Sequence, residues 1–278
     1  MTPDTVLCAG ASPAEAEALA RAHYGLSGLA ERLPGEYDDN FRLRADDGRS
    51  FVLKLMHPER ERALVELQVA ALRQAERAAP TLPLPRVQRA RDGSALVAAR
   101  DSAGRARLLW LLDYLEGTPL ASVRPRSDAL HAELGAWLAR FDRALLDFDP
   151  PAARRVLKWD LAQAGWIRAE LGVLADERRR ALVHAVLDTF TREVEPELPH
   201  LPAGVIHGDA NDHNVLVRVE RARPLAIAGV IDLGDLHRSA RVGELAVAGA
   251  YALLDQPEPW PVLAALVRGY HGELALEE

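Results

Sequence analysis

The run Val205-Ile206-His207-Gly208-Asp209-Ala210-Asn211-Asp212-His213-Asn214-Val215-Leu216-Val217 does most to limit what this chain can fold into. A loop of His, Asp and Asn lies between two apolar, strand-like pieces. Fifteen residues past Asn214, a third piece begins at Gly229-Val230-Ile231-Asp232-Leu233-Gly234-Asp235. It ends an apolar strand on a carboxylate, with a glycine close behind. Asp and Asn are turn formers, and one alone between two strands would mean only a turn. The whole HGDxNxxN string followed by IDxGD puts two acids and an amide on neighbouring strand ends, and that pattern reads as chemistry.

Phosphoryl transfer needs such a set. Its transition state spreads negative charge over phosphoryl oxygens, so catalysis is positioning plus neutralisation. A carboxylate must face the attacking hydroxyl. Oxygen ligands must hold Mg²⁺ on the phosphates, and Mg²⁺ favours carboxylate, amide carbonyl and water. Asp209 can face the hydroxyl, Asn214 can supply an amide oxygen, and Asp232 can supply a second carboxylate. A competing reading takes His207, Asp209, Asp212 and His213 as Zn²⁺ ligands. Against it, adjacent Asp212 and His213 rarely converge with His207 on one metal.

The N-terminal portion has a different character. Ser12-Pro13-Ala14-Glu15 has the form of a capping box and predicts a helix to about Tyr24, stopped by Gly25. Residues 39–56 predict a β-hairpin around Asp46-Asp47-Gly48. A helix follows from Pro58 to about Ala79, and 86–91, 95–100 and 105–112 read as strands. After Gly117-Thr118-Pro119, the stretches 127–147, 160–174 and 177–195 are helical by apolar spacing. Strands return at 204–207, 215–219 and 225–231, and about 240–254 and 260–270 are helical again. The expected fold is α+β in two lobes. Residues 1–112 make a small β-sheet lobe with one long helix, 113–118 a hinge, and 119–278 a larger, mainly helical lobe.

Only two lysines, Lys54 and Lys158, stand against 32 arginines. Lys54 lies inside the apolar strand Phe51–Leu55, where an ammonium is costly unless its charge is used. A strand lysine paired to a helix glutamate and aimed at nucleotide phosphates belongs to the kinase template. Glu66 on the next helix is the expected partner. Leu33–Asn40, with one glycine and no GxGxxG, is the place for a phosphate-covering turn. In the junction stretch 111–117, Asp113 and Leu115 carry backbone groups that suit a purine edge. The net charge of −7 argues against nucleic acid as a partner. The sole cysteine, Cys8, permits no internal disulfide and no Cys-based metal site. Met1–Gly10 has no signal-peptide pattern and no apolar run is long enough to span a membrane, so the expectation is a cytoplasmic protein.

HGDANDHNVLV and VIDLGD resemble the catalytic loop and metal motif of the aminoglycoside phosphotransferase/choline kinase group of protein-kinase-like small-molecule kinases. FVLKL, LLDYLEGTPLA, KWDLAQA and GVIDLGDL make the chain similar, more narrowly, to the hydroxylysine kinase branch. The resemblance covers about residues 10–270. It implies a bilobal fold with ATP or GTP in the cleft. Asp209 would be the catalytic carboxylate, Asn214 and Asp232 the Mg²⁺ ligands, and Lys54 the phosphate-binding lysine. His207 would hold the loop, and Asp235 would lie near the metal site or the substrate amine. The acids Asp209, Asp212, Asp235 and Glu244 suit the ammonium of a small amine-bearing hydroxyl substrate, such as a hydroxylysine-like amino alcohol. The alternatives are an aminoglycoside-type antibiotic phosphotransferase and a catalytically impaired nucleotide-binding module. The chain runs only about 40 residues past Asp235, where that branch continues with more helices. It therefore reads as truncated or as part of a longer polypeptide. A dimer or a fused domain would cover the apolar stripe of Trp260, Val262, Leu263, Leu266, Val267 and Tyr270.

Overall fold

The computed structural model describes residues 10–221 and 223–276, so Cys8 and the rest of residues 1–9 lie outside it. The chain divides into two compact units. One runs to Glu76 and includes Leu84–Glu116; the other comprises Arg77–Pro83 and the chain from Gly117.

The first unit is built on one antiparallel sheet. Helix α1 (Pro13–Tyr24) opens on Ser12, whose side chain accepts the Glu15 N–H at 3.2 Å. It closes on Gly25 at φ 70°, a backbone conformation that costs glycine nothing. Strands β1 (Gly28–Leu33), β2 (Asp39–Ala45) and β3 (Ser50–Leu55) follow. Helix α2 (Arg62–Ala78) comes next, then β4 (Val97–Arg100) and β5 (Ala106–Asp113). The strand order is β1-β2-β3-β5-β4. Phe41 faces Leu53 and Leu53 faces Leu111, so alternation puts all three on one side. With Leu43, Leu55, Leu109 and the alanines Ala16 and Ala20 of α1, they form the core. β1 has no strand-like alternation and was not expected. α2 starts at Arg62 rather than Pro58, because the Arg60 N–H closes a turn on the His57 carbonyl at 2.9 Å. The strand expected at 86–91 is reduced to an isolated bridge, Val87 to Leu112.

Charge is buried at one end of this sheet. Asp39 and Arg107 side chains are fully buried and meet at 2.9 Å. Arg32 takes the other Asp39 oxygen at 2.8 Å. The Arg107 guanidinium also donates to the carbonyls of Met56 (2.6 Å) and Leu55 (2.8 Å). Burial pushes the Asp39 carboxyl up, but the hydrogen bonds from Arg32 and Arg107 outweigh it and hold the group below its usual range.

The second unit holds two small sheets and most of the helices. Its strands are β6 (Thr118–Pro119), β7 (Ala203–Ile206), β8 (Val215–Glu220), β9 (Arg223–Val230) and β10 (His237–Ala240). They pair as β6-β8-β9 and β7-β10. The helices are α3 (Asp128–Ala144), α4 (Ile167–Glu170), α5 (Glu177–Thr189), α6 (Val242–Ala252) and α7 (Pro259–Glu273). The continuous helix expected over 160–174 is broken, with 3₁₀ turns at Leu161–Trp166 and Leu171–Val173 flanking α4. Gly165 and Gly172 interrupt it, each costing about 1 kcal/mol against Ala in a helix. No residue in the stretch is fully buried to make up the loss by packing.

α3 and α7 cross at two glycines. A Cβ on Gly135 would stand 2.0 Å from the Leu266 carbonyl oxygen, and one on Gly269 would stand 1.8 Å from that of Ala132. Val262, Leu266 and Tyr270, three of the six residues of the stripe expected to need a partner, are buried in this unit, and Leu263 and Val267 are half-buried. Trp260 stays outside it, 76% exposed. Among the described residues no helix is long and apolar enough to cross a membrane.

Candidate active site

β7 ends at Ile206 and leads His207-Gly208-Asp209 into a loop that returns as β8 at Val215. The His207 imidazole is fully buried. Its Nδ1 accepts the Asp209 N–H at 3.2 Å, so the proton sits on Nε2 and is donated to the Ile231 carbonyl at 3.1 Å. Burial pushes this imidazole down to about 4, so it is neutral at pH 7. One ring therefore joins the first motif to the strand end that carries Asp232. Phe141 of α3 stands edge-on to it, with ring centroids 6.2 Å apart. Gly208 has φ 74°, and a Cβ there would meet His237 Cε1 at 2.6 Å. Only glycine fits this corner.

The Asp209 carboxylate is held on both sides. Oδ1 accepts from Asn211 Nδ2 and Oδ2 from Asn214 Nδ2, each at 2.8 Å. Asn211 Oδ1 accepts the N–H groups of His213 (2.9 Å) and Asn214 (3.1 Å), which closes the loop on itself. Asn214 points its amide nitrogen at Asp209, so its carbonyl oxygen is the atom it can offer a cation. Burial pushes Asp209 up to about 6; Asn211 and Asn214 oppose the rise, and Asp235 and Asp232 add to it.

Asp232 follows β9 in left-handed backbone, φ 61°, and accepts the Gly234 N–H at 3.3 Å. A non-glycine residue held there signals a locally over-determined turn. The Ile231 N–H reaches the Asn214 carbonyl at 2.9 Å, which ties the two strand ends together. Arg155 donates to the Gly234 carbonyl at 2.7 Å and stands 3.8 Å from the Asp235 carboxylate. An amide oxygen and clustered carboxylates form a hard-oxygen donor set, which suits Mg²⁺.

Two acids expected near the substrate have other partners. Asp212 pairs with Arg126 at 3.2 Å, and its carbonyl accepts the Ala121 N–H at 2.8 Å. It pins the loop to the 120–126 segment. Glu244, the third residue of α6, is wholly buried and accepts the N–H groups of His207 (2.5 Å) and Gly208 (3.3 Å). The Zn²⁺ reading fails on the same geometry. Both His207 nitrogens are engaged and Asp212 faces a guanidinium. Among the described residues, no group of three or more His, Cys, Asp or Glu is arranged to hold a metal. An Asn/Asp pair lies outside that description, and Mg²⁺ is commonly held by one or two carboxylates plus substrate phosphates.

In the first unit, Lys54 is 8% exposed on β3, with its ammonium 5.8 Å from the Trp110 ring centroid. Glu66 departs from expectation. Its side chain is 56% exposed and ion-paired to Arg62 at 3.2 Å, on the outer side of α2. The polar residue that α2 buries is Gln68. The Asp113 side chain accepts from Gln88 Nε2 at 2.6 Å, and burial raises its carboxyl above the usual range. Leu115 is half-buried just past β5. The expected phosphate turn is anchored by Asp38, which accepts the His57 N–H at 2.7 Å and pairs with Arg60 at 2.9 Å.

Asn211, Arg126, His237 and Asp142 were missed as supporting residues. Asn211 had a signal, as one of three asparagines in the chain. The others had none, since β10 shows no alternation and Arg126 is one arginine among many.

Residues 30–278 match the phosphotransferase enzyme family, APH. The chain belongs to that family. This phosphotransferase is 28% identical to hydroxylysine kinase of Mus musculus over 284 residues, 95% of this chain and 75% of that one. It is 28% identical to hydroxylysine kinase of Danio rerio over 272 residues, 92% and 74% of the two chains. Among solved structures it resembles a microcompartment-associated aminopropanol kinase, with a TM-score of 0.71 and 21% identity over 93% of this chain and 80% of that one. It also resembles an amicoumacin kinase in complex with AMP-PNP and Ca²⁺, with a TM-score of 0.66 and 15% identity over 93% and 76%. At such identities the structural likeness establishes the phosphotransferase's α+β, kinase-like fold.

Proposed function

We propose that this phosphotransferase moves the γ-phosphoryl group of ATP or GTP to the hydroxyl of a small amine-bearing acceptor, a hydroxylysine-like amino alcohol. The observation that carries the reading is the Asp209 carboxylate, fixed between two asparagine amides beside Asp232 and Asp235. In the step, the acceptor oxygen attacks the γ-phosphorus and its proton passes to Asp209. The bond from the γ-phosphorus to the β–γ bridging oxygen breaks, and the nucleoside diphosphate leaves. Asn211 and Asn214 keep the carboxylate oriented, so little reorganisation is needed at the moment of transfer. Asn214 and Asp232 would hold Mg²⁺, which supplies charge neutralisation on the phosphates. Lys54 would bind phosphate oxygens, and the backbone around Asp113 and Leu115 would meet the base. Asp235, close enough to raise the Asp209 carboxyl, would meet the acceptor's ammonium. The similarity to hydroxylysine kinases supports the acceptor class.

The test is nucleotide consumption, coupled to a spectroscopic readout, over a panel of amino alcohols, hydroxylysine and aminoglycosides, with ATP and GTP in turn. The reading expects Mg²⁺-dependent turnover with an amino alcohol or hydroxylysine. Turnover confined to aminoglycosides would replace the acceptor class. No turnover with any member would overturn the proposal.

A further inference from the structure

We propose that Asp142 and Glu244 share one buried proton, and that this shared proton positions the His207–Asp209 loop for phosphoryl transfer. The catalytic half of this statement rests on the proposed function; the shared proton does not.

Asp142 of α3 and Glu244 of α6 are 2% and 0% exposed. Each carboxylate spends one oxygen on a known donor. Glu244 Oε2 takes the His207 and Gly208 N–H groups. Asp142 Oδ2 takes the Tyr270 hydroxyl at 2.6 Å. The remaining oxygens, Glu244 Oε1 and Asp142 Oδ1, are buried without a hydrogen-bond partner. A buried acceptor left unsatisfied is costly. The two groups lie in one neighbourhood. Phe141, next to Asp142, stands against the ring of His207, and it is the His207 N–H that Glu244 accepts. A proton on one carboxyl supplies the donor that both orphaned oxygens lack.

The electrostatics agree with the geometry. Burial and then the Glu244 charge push Asp142 well up. Burial pushes Glu244 up to about 7, with the His207 and Gly208 amides opposing. The other groups that face the pair are Tyr270 from α7, Arg241 just before α6, His237 from β10 and Asp209 from the loop itself. Arg241 lowers Asp142 and His237 lowers Glu244, while Asp209 raises Glu244. A polar chain thus runs from Tyr270 through Asp142 and Glu244 to the amides beside Asp209. It makes α7 part of what holds the loop.

The sign of the pH effect follows. The Glu244 value is raised in the fold from 4.5 to about 7. The stabilisation from the Glu244 proton is full below 4.5 and is lost as pH rises through about 7, while Asp142, raised by burial and then by the Glu244 charge, holds the shared proton beyond that. When that last proton leaves at still higher pH, two buried negative charges repel and the loop loses its brace.

The experiment compares the full chain with Asp142→Asn and Asp142→Leu. Melting temperature is followed from about pH 5 to about pH 10 without nucleotide, then kcat and KM at both ends of that range. The side-chain amide of Asp142→Asn donates permanently to Glu244. It should flatten the alkaline loss of melting temperature and remove the alkaline fall in kcat. Asp142→Leu supplies no donor, and misplacement of the loop should lower kcat by about a hundredfold with nucleotide KM little changed. Equal melting profiles for the wild type and Asp142→Asn would overturn the shared proton, even if Asp142→Leu failed to fold. A flattened profile with an unaltered kcat profile would confine the pair to stability and overturn its positioning role. The melting arm needs no substrate, so an inactive wild type would count against the proposed function alone.

Discussion

Lys54 keeps an ammonium on a strand where it is 8% exposed, a placement that costs free energy unless the charge meets an anion or an aromatic face. Trp110 supplies the aromatic face at 5.8 Å, a contact that desolvation strengthens. On the proposed function, nucleotide phosphates supply the anion. Lys54→Ala should therefore weaken nucleotide binding by about tenfold or more, as loss of a charged hydrogen-bonding partner does. Glu66→Ala should leave it unchanged, because Glu66 belongs to a surface pair with Arg62 worth about 0.3 kcal/mol. Titration calorimetry with a nonhydrolysable nucleotide measures both. Equal losses in the two variants would restore Glu66 as the lysine's partner. The sequence shows that α2 exists and that it is amphipathic. Spacing puts Leu64, Leu67, Ala71 and Gln68 on one face, but it does not show which glutamate turns toward Lys54, and Glu66, two positions from buried Gln68, turns outward. The same limit applies in the loop. The HGDxNxxN spacing made Asp209 and Asn214 legible. Which of the adjacent Asn211 and Asp212 turns toward Asp209 depends on Arg126, 85 positions before Asn211, and no local pattern records that.

Elements were legible where packing and local pattern agree. α1 begins at its capping box and stops at its glycine. The hairpin of β2 and β3 turns where Gly48 takes φ 88°. β10 was illegible because it pairs with β7 through backbone, while His237 abuts Gly208 and Arg238 and Ser239 turn to Asp149 and Asp160. Gly135 of α3 and Gly269 of α7 look like helix weaknesses in sequence, but they let the two helices cross with backbone against backbone. Gly269→Ala forces a Cβ to 1.8 Å from a carbonyl oxygen and should cost about 1–3 kcal/mol or more in chemical denaturation. Gly172→Ala meets nothing within 4 Å and should be neutral or stabilising by up to about 1 kcal/mol. A larger loss at Gly172 than at Gly269 would contradict the crossing described. In the first unit, Arg107→Met strips a buried partner from Asp39 and should cost about 3–5 kcal/mol. Asp39 is held below its ordinary value of 3.8, so its contribution is present above 3.8 and is lost as pH falls through the lower folded value. Acid unfolding of Arg107→Met should accordingly begin at higher pH than in the wild type, as read by circular dichroism.

On the scale of the whole chain, the family match over residues 30–278 and the loop geometry point to one chemistry. Every strong polar contact around Asp209 leaves its carboxylate oriented. His207 and Glu244 take the amides beneath it, Asn211 and Asn214 take its oxygens, and Arg126 draws Asp212 away. The most direct test is single-turnover transfer of γ-labelled phosphate to an acceptor hydroxyl by the wild type and by Asp209→Asn, with nucleotide affinity measured in parallel. The account predicts transfer slowed by a factor of about 10² to 10⁴, with nucleotide affinity nearly unchanged. Transfer by Asp209→Asn at the wild-type rate would contradict it.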